Sequence, residues 1–135
     1  MLSIDEMKAR YAVYLDALLH PDTLPPLLAE GFIAHDLPPG LSLPDFRRRA
    51  MEALPDEDLA VLHLVADGDV VIAHLRLTGT HRGVFRGIQP TGRTLTAELF
   101  DLVGFDAEGK LAERWGLLDW DALYRQMSVT TLPHG

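Results

Sequence analysis

The sequence predicts one domain of the α+β class, with N-terminal helices packed over a curved antiparallel sheet. The chain has 135 residues, of which 47% are hydrophobic and 24% charged, as is typical of a single globular domain spanning residues 1–135. Helical spacing dominates residues 3–54, whereas Val- and Leu-rich segments separated by turn signals follow from residue 59. Helices on one face of a strongly twisted sheet would form a cone-shaped barrel with an apolar interior.

Two helices with clear start signals are predicted before the sheet. Apolar residues recur at helical spacing over residues 3–19, and Ser3 followed by Glu6 is a capping-box pattern. A second cap, Ser42, precedes a helix whose apolar face runs from Phe46 to Leu54. Between them we expect a short helix over residues 24–29, a short strand over residues 32–35 and a Pro-Pro-Gly loop.

The second half of the chain predicts a meander of long strands. The turn signal at residues 67–69 favours a hairpin between the first two of these strands. A last helix is expected at residues 120–127. The four strands are predicted at residues 59–66, 70–80, 94–105 and 110–119.

Composition excludes several classes of function. The 20 acidic residues outnumber the 12 basic ones, so a net charge of −8 disfavours nucleic-acid and anionic-membrane partners. Without cysteine there is no thiol nucleophile, and no His spacing is typical of a metal site. No phosphate-binding glycine loop is present, so we expect neither metal nor cofactor. The polar N-terminus and the absence of a long apolar run favour a cytoplasmic protein.

A set of motifs, weak singly but specific in order and spacing, resembles one known family. They include FIAHD at residues 32–36, GTHRGVFRG at 79–87, PTGR at 90–93 and GKLAERW at 109–115, with Asp101 and Asp119 beside them. Together they resemble the SnoaL-like polyketide cyclases, also called ester cyclases, of the nuclear transport factor 2-like superfamily. The resemblance covers residues 5–127 approximately and specifies fold and family rather than substrate.

The resemblance carries expectations about structure and activity. It implies a cone-shaped α+β barrel, a homodimer formed through the outer face of the sheet, and a pocket without cofactor or metal. In characterised cyclases of this family, an acidic residue is the general acid/base of an intramolecular aldol ring closure. The expected ligand is a small hydrophobic carbonyl compound. A non-catalytic ligand-binding or dimeric interaction module of the same fold is the alternative. Epoxide hydrolases of the limonene type are disfavoured, because Leu99 occupies the position of their arginine.

Asp119 is the first candidate acid/base. Strand alternation places it on one face with Trp115 and Leu117, so it would point into the cone if they do. A carboxylate among apolar walls would have a raised pKa suited to proton transfer. The competing interpretation is that Asp119 caps the closing helix.

Asp101 is the second candidate, because a charged residue inside an apolar strand is unusual unless it is paired or functional. Alternation puts Asp101 and Glu98 on opposite faces, and we favour Asp101 for the pocket. An ion pair with Arg76 or Arg114 is the structural alternative.

His35 is the third catalytic candidate, as a neutral imidazole that could polarise a carbonyl or bind a hydroxyl group. Its alternative is a hydrogen bond that anchors the loop, and Asp36 beside it favours anchoring. Substrate-binding positions are expected at Trp115, Leu117, Phe32, Phe46, Phe100 and His74. For His74, cross-strand pairing on an exposed or dimeric face explains the sequence equally well.

Overall fold

A computed structural model describes residues 2–128. It confirms an α+β fold built on one five-stranded mixed sheet. The helices are α1 (Ile4–Leu18), α2 (Leu43–Ala53) and α3 (Trp120–Met127). The strands are β1 (Leu28–Ala34), β2 (Asp58–Asp67), β3 (Val70–Thr80), β4 (Thr94–Phe105) and β5 (Leu111–Leu118).

The predicted start signals form the caps of α1 and α2. Ser3 accepts a hydrogen bond from the Glu6 N–H, and Glu6 accepts one from the Ser3 N–H, so the capping box is complete. The Ser42 hydroxyl accepts a hydrogen bond from the Asp45 N–H at the start of α2. Both helices therefore begin where the sequence predicts.

The helix predicted over residues 24–29 is wrong. Two single 3₁₀ turns, Pro21–Thr23 and Pro25–Leu27, occupy this region, and Leu28 already begins β1. Consecutive prolines lack the N–H groups that a continuing helix needs, so the turns cannot extend. Gly31 does not end a helix either; it lies within β1 with a φ of +79°, where the register towards β5 shifts.

The sheet has the strand order β1-β5-β4-β3-β2. Strands β2 to β5 form the expected antiparallel meander, and β1 pairs with β5 in parallel. The sheet curls like a cone but remains open, because β1 and β2 are at its two edges. The strand that follows the first helices therefore lies beside the last strand of the chain.

The core lies between the helices and one face of the sheet. Helix α1 packs on β2 and β3, and α3 packs on β4. Alternation along β4 directs Leu95, Ala97 and Val103 into this core, on the same face as Asp101. Within residues 2–128, no helix is long and apolar enough to cross a membrane.

Candidate functional site

A cavity of about 510 Å³ lies between α2 and the concave face of the sheet. Most of its wall is apolar, which suits a small hydrophobic ligand. A smaller set of charged side chains shares this wall. The apolar lining includes Leu18, Leu37, Leu41, Phe46, Leu54, Leu77, Phe85, Leu99, Leu118, Trp120 and Leu123, and the charged lining comprises Asp36, Arg47, Arg49, Glu52, Arg86 and Arg114.

Arg114 is one of two buried arginines of the cavity wall, and Asp101 holds it from within the core. The Arg114 Nε donates to Asp101 Oδ1 at 3.3 Å, and the Asp101 side chain is fully buried. The second carboxylate oxygen of Asp101 accepts a hydrogen bond of 2.9 Å from the Tyr11 hydroxyl. Asp101 therefore faces the concave side, and Arg114 is the predicted ion-pair partner that the fold selects.

Asp36 is the acid that shares the cavity wall with Arg114. Its Oδ2 lies 3.7 Å from Arg114 Nη2, and its side chain is 19% exposed, so ligand and water can reach it. The main chain fixes this position, because the His35 N–H donates to the Arg114 carbonyl at 2.9 Å as β1 leaves the sheet. One acid and one guanidinium thus meet at the cavity.

Gly116 leaves the space that this arrangement needs. It is the cross-strand partner of Asp101, so the Arg114 guanidinium reaches Asp101 across it. A Cβ atom at this position would overlap Arg114 Nη2 and would lie 3.0 Å from Asp36 Oδ2. A larger residue here would therefore displace the guanidinium from the place where the two acids approach it.

Burial sets the electrostatics of this group. It raises the pKa of the Asp101 carboxyl, and the Arg114 charge and the Tyr11 hydrogen bond offset that effect only in part. Burial also raises the pKa of the Tyr11 hydroxyl above its usual range, so Tyr11 remains a donor. Arg114 has five N–H donors and uses its Nε on Asp101, which leaves others for an oxygen atom in the cavity.

A second buried ion pair lies at the other side of the cavity. Arg47 donates from Nη2 to Glu57 Oε1 at 2.8 Å and from Nε to the Leu18 carbonyl at 2.8 Å. Both side chains are buried, and burial raises the pKa of Glu57 against the opposing effect of Arg47. This pair ties α2 to α1 and to the start of β2.

The family model of the SnoaL-like polyketide cyclases matches residues 9–127, which is most of the chain. The chain belongs to the SnoaL-like polyketide cyclase family. This confirms the resemblance carried by the motifs. Among curated proteins, no sequence matches the chain.

Solved structures share the fold of this SnoaL-like chain. AclR from Streptomyces galilaeus, described as a candidate hydroxylase, is 24% identical with a TM-score of 0.83, over 96% of this chain and 100% of AclR. TsrD from Streptomyces laurentii is 23% identical with a TM-score of 0.83, over 96% and 100% of the two chains. A candidate SnoaL-like polyketide cyclase from Jannaschia sp. CCS1 is 20% identical with a TM-score of 0.81, over 95% of each chain. At these identities the likeness establishes the fold alone.

The expected inward direction of Trp115 is wrong, whereas Leu117 borders the inner cavity although most of its side chain is exposed. They are 43% and 75% exposed on the outer face of the SnoaL-like sheet, while Arg114 and Gly116 alternate with them and face inward. The ion pair between Arg114 and Asp101 determines which face of β5 points inward. If Trp115 pointed inward instead, Arg114 would point outward and the buried Asp101 would lose its partner.

Two further predicted pocket residues, Phe100 and His74, also lie on the outer face. Phe100 is 53% exposed, and its ring stacks on that of His74 at 4.6 Å. His74 Nε2 lies 2.6 Å from Glu98 Oε1, so the cross-strand alternative for His74 is the one observed. The prediction that these residues line the inner cavity is therefore wrong.

Asp119 lies outside the inner cavity. Its Oδ1 accepts the Ala122 N–H at 3.1 Å as the N-cap of α3, which is the competing interpretation. It borders a shallow depression of about 460 Å³ on the outer face, together with His74, Glu98, Phe100, Leu117 and Leu118. This depression is open to solvent, so it cannot desolvate a reacting group as the inner cavity can.

His35 also points away from the inner cavity. Its Nε2 lies 3.0 Å from Glu113 Oε1, and its ring stacks on Trp115 at 4.1 Å with planes 8° apart. Of the remaining predicted contacts, Phe46 lines the inner cavity, whereas Phe32 packs against the core without lining it. Within residues 2–128, no group of three His, Asp or Glu side chains is arranged to hold a metal ion.

Sequence reasoning missed Asp36 and underrated Arg114. The Pro-Pro-Gly loop after Asp36 favours a turn anchor, and the sequence suggests Arg114 only as a partner for Asp101. A signal was available in Gly116, because a glycine inside a strand indicates that another group approaches closely. Alternation then places Arg114 on the face of Gly116, opposite Trp115.

Proposed function

We propose that this protein catalyses cofactor-independent acid/base chemistry, of the aldol-cyclisation type, on a small hydrophobic carbonyl compound. One observation supports it above all: Asp36 and Arg114 meet at the wall of an apolar cavity, with Asp101 and Tyr11 fixing Arg114 from behind. A carboxylate that moves a proton beside a cation that stabilises an oxyanion is the minimum that such chemistry requires.

The proposed steps balance without an added reactant. Asp36 removes a proton from the carbon next to a carbonyl group, and an Arg114 N–H donates to the oxygen that becomes the enolate. The enolate carbon then attacks a second carbonyl carbon of the same molecule, which forms a C–C bond. The resulting alkoxide takes the proton back from Asp36. The product is a cyclic isomer of the substrate, and the carboxylate is regenerated.

Asp101 is a positioning residue in this scheme, because it does not line the cavity and reaches the substrate only through Arg114. Buried and doubly hydrogen-bonded, it restricts the guanidinium to one orientation. Its loss is expected to weaken oxyanion stabilisation rather than to remove the base.

The test measures the first step with a simple probe. Exchange of the methyl protons of 2-acetylnaphthalene for deuterium in D₂O, followed by NMR, reports deprotonation next to a carbonyl group. We expect the wild-type protein to accelerate exchange, and Asp36→Asn to reduce the acceleration by about 10²–10⁴-fold. Asp69→Asn, in the exposed turn between β2 and β3, is the matched control for the same chemical change.

Three results would count against this assignment. If Asp36→Asn exchanges as fast as the wild type, Asp36 is not the base. If Asp119→Asn instead removes the activity, the outer depression is the active site. If the probe binds to the wild-type protein but its exchange is not accelerated, the cavity belongs to the non-catalytic alternative, a ligand-binding module.

We also propose that the protein forms a homodimer through the outer face of its sheet. Five apolar side chains on this face are 43–75% exposed: Val65, Ile72, Phe100, Trp115 and Leu117. A contiguous apolar surface of this kind is typical of an interface. Leu117→Glu is expected to convert a dimer to a monomer in analytical ultracentrifugation, whereas Val13→Glu, an exposed valine on α1, is not. A wild-type monomer at micromolar concentration would refute this proposal.

A further inference from the structure

The charged residues of the cavity wall reverse the charge balance of the chain. Acidic residues outnumber basic ones by 20 to 12 overall, yet four of the six charged residues that line the cavity are arginines. Arg47 is neutralised by Glu57, and Arg114 faces two carboxylates, Asp101 and Asp36, so neither group offers a net positive charge to a ligand. The charge that remains for a ligand is therefore carried by the others.

Arg49, Glu52 and Arg86 are the exposed charged members of the lining, so they lie at the rim of the cavity. Among the described residues, none of the three is within 4.0 Å of an oppositely charged group. Two cations and one anion leave a net positive rim. In a chain with a net charge of −8, a locally positive rim favours an anionic group at this position.

Arg86 occupies the tip of a small hairpin at this rim. Phe85 and Ile88 exchange both backbone hydrogen bonds, at 3.0 and 2.9 Å, around Arg86 and Gly87. Both turn residues have positive φ, +48° for Arg86 and +83° for Gly87, as a type I′ turn demands. Asn or Gly is the usual residue at the first of these positions, so an arginine there has a backbone cost that the surrounding structure offsets.

The side chain of Arg86 is held over the cavity wall. Its Cζ lies 4.3 Å from the centre of the Trp120 ring, and both residues line the cavity. The Trp120 ring also contacts the rings of Phe85 and Tyr124, whose centres lie 5.9 and 6.5 Å away. Stacking on an indole orients a guanidinium and leaves its N–H edge free for a carboxylate, which it can bind with two parallel hydrogen bonds.

We infer that the ligand of this cavity is an apolar compound that carries a carboxylate or a similar single anionic group, and that Arg86 is the residue that selects it. The apolar body of the ligand would lie among the aliphatic and aromatic walls. Its anionic group would lie at the rim with Arg86, and Arg49 would add a second positive charge. This rests on the proposed function, because it names the class of compound that the same cavity accepts.

The test compares 2-naphthoate with methyl 2-naphthoate, two compounds with the same apolar body that differ in charge. Dissociation constants are measured by isothermal titration calorimetry at neutral pH. We expect the anion to bind the wild-type protein about tenfold more tightly than the ester, as one charge-assisted hydrogen bond provides. The preference should shrink between about 20 mM and about 500 mM salt, because the rim is exposed.

Three variants separate charge from backbone effects. Arg86→Gly removes the guanidinium but retains a residue suited to positive φ, and Arg86→Gln removes the charge at similar length. We expect both to lose the tenfold preference with little change for the ester, whereas Arg86→Lys retains part of it. Arg125→Gln, an exposed arginine of α3 outside the cavity lining, is the matched control and should retain the preference.

The outcomes distinguish this inference from the function on which it rests. If the wild type binds the ester as tightly as the anion, anion selection is refuted while ligand binding in the cavity stands. If Arg86→Gly and Arg86→Gln weaken both compounds equally, Arg86 acts by packing on Trp120, and the inference is likewise overturned. If neither compound binds, both the inference and the proposed hydrophobic site fail.

Discussion

Substituting Gly116 by alanine tests the centre of the candidate site. In a strand with ordinary φ, replacing glycine by alanine usually adds about 0.4–1 kcal/mol to the free energy of unfolding. Here the new Cβ would overlap Arg114 Nη2 and approach Asp36 Oδ2 at 3.0 Å, so the guanidinium must move. Because Arg114 is buried and bonded to buried Asp101, that movement disturbs a charged hydrogen bond.

The expected magnitude follows from these two opposing contributions. Disturbing a hydrogen bond between charged groups costs about 1.5–3 kcal/mol. After subtraction of the gain from alanine, we expect Gly116→Ala to lower the free energy of unfolding by about 1–2 kcal/mol. Urea denaturation followed by tryptophan fluorescence measures this difference, and an unchanged slope of the transition would show that the native fold is retained.

Gly104→Ala is the matched control for Gly116→Ala. Its Cβ would lie 3.3 Å from Cγ of Glu113, a side chain that is 43% exposed and can swing away. We therefore expect no loss of stability from Gly104→Ala, and a gain of up to about 1 kcal/mol from the alanine. If Gly116→Ala proves as stable as the wild type, the close packing of Arg114 against Gly116 is not a constraint, and the argument for a fixed guanidinium is wrong.

Three other predictions concern caps and titration. Ser3→Ala should lower the free energy of unfolding by about 1 kcal/mol in the same urea assay, because it removes the capping box, and an unchanged midpoint would contradict this. Asp119→Ala should cost about 1 kcal/mol by loss of the α3 cap, whereas Asp119→Asn should retain most of the stability; equal losses would refute the capping role. Burial raises the folded-state pKa values of Asp101 and Glu57 above their unfolded values. Their contribution to stability is thus complete below about pH 4 and is lost as the pH rises through the raised values. With Glu57→Gln, the free energy of unfolding from urea titrations should fall less steeply as the pH rises above about 4. An unaltered pH profile would show that Glu57 does not titrate with a raised pKa.

The sequence predicts the fold because each element has a local cause. Capping residues mark the starts of α1 and α2, and turn residues separate strands whose apolar and polar residues alternate. The parallel position of β1 beside β5 has no such local signal. It depends on a pairing between residues about eighty positions apart, which periodicity does not report.

The candidate site could be predicted only in part. Alternation correctly groups Asp101 with the core face of β4, because that strand has one apolar and one mixed face. In β5 both faces carry apolar residues, so hydrophobicity alone assigned Trp115 to the interior, whereas the pairing of Arg114 with Asp101 decides the direction. A buried charge pair determines which face of such a strand points inward, and this pair can be identified only when the strand register is known.

The parallel pairing of β1 with β5 also determines when the site can exist during folding. Asp36 follows β1 and Arg114 lies in β5, so the two charged groups meet only after the chain has closed a loop of more than half of its length. A nascent chain that ends before residue 111 could form the β2–β3 hairpin but would have neither the guanidinium nor the strand that positions Asp36. The proposed activity would therefore require β5 to be in place and β1 to have paired with it, long after the sequence of Asp36 has been synthesised.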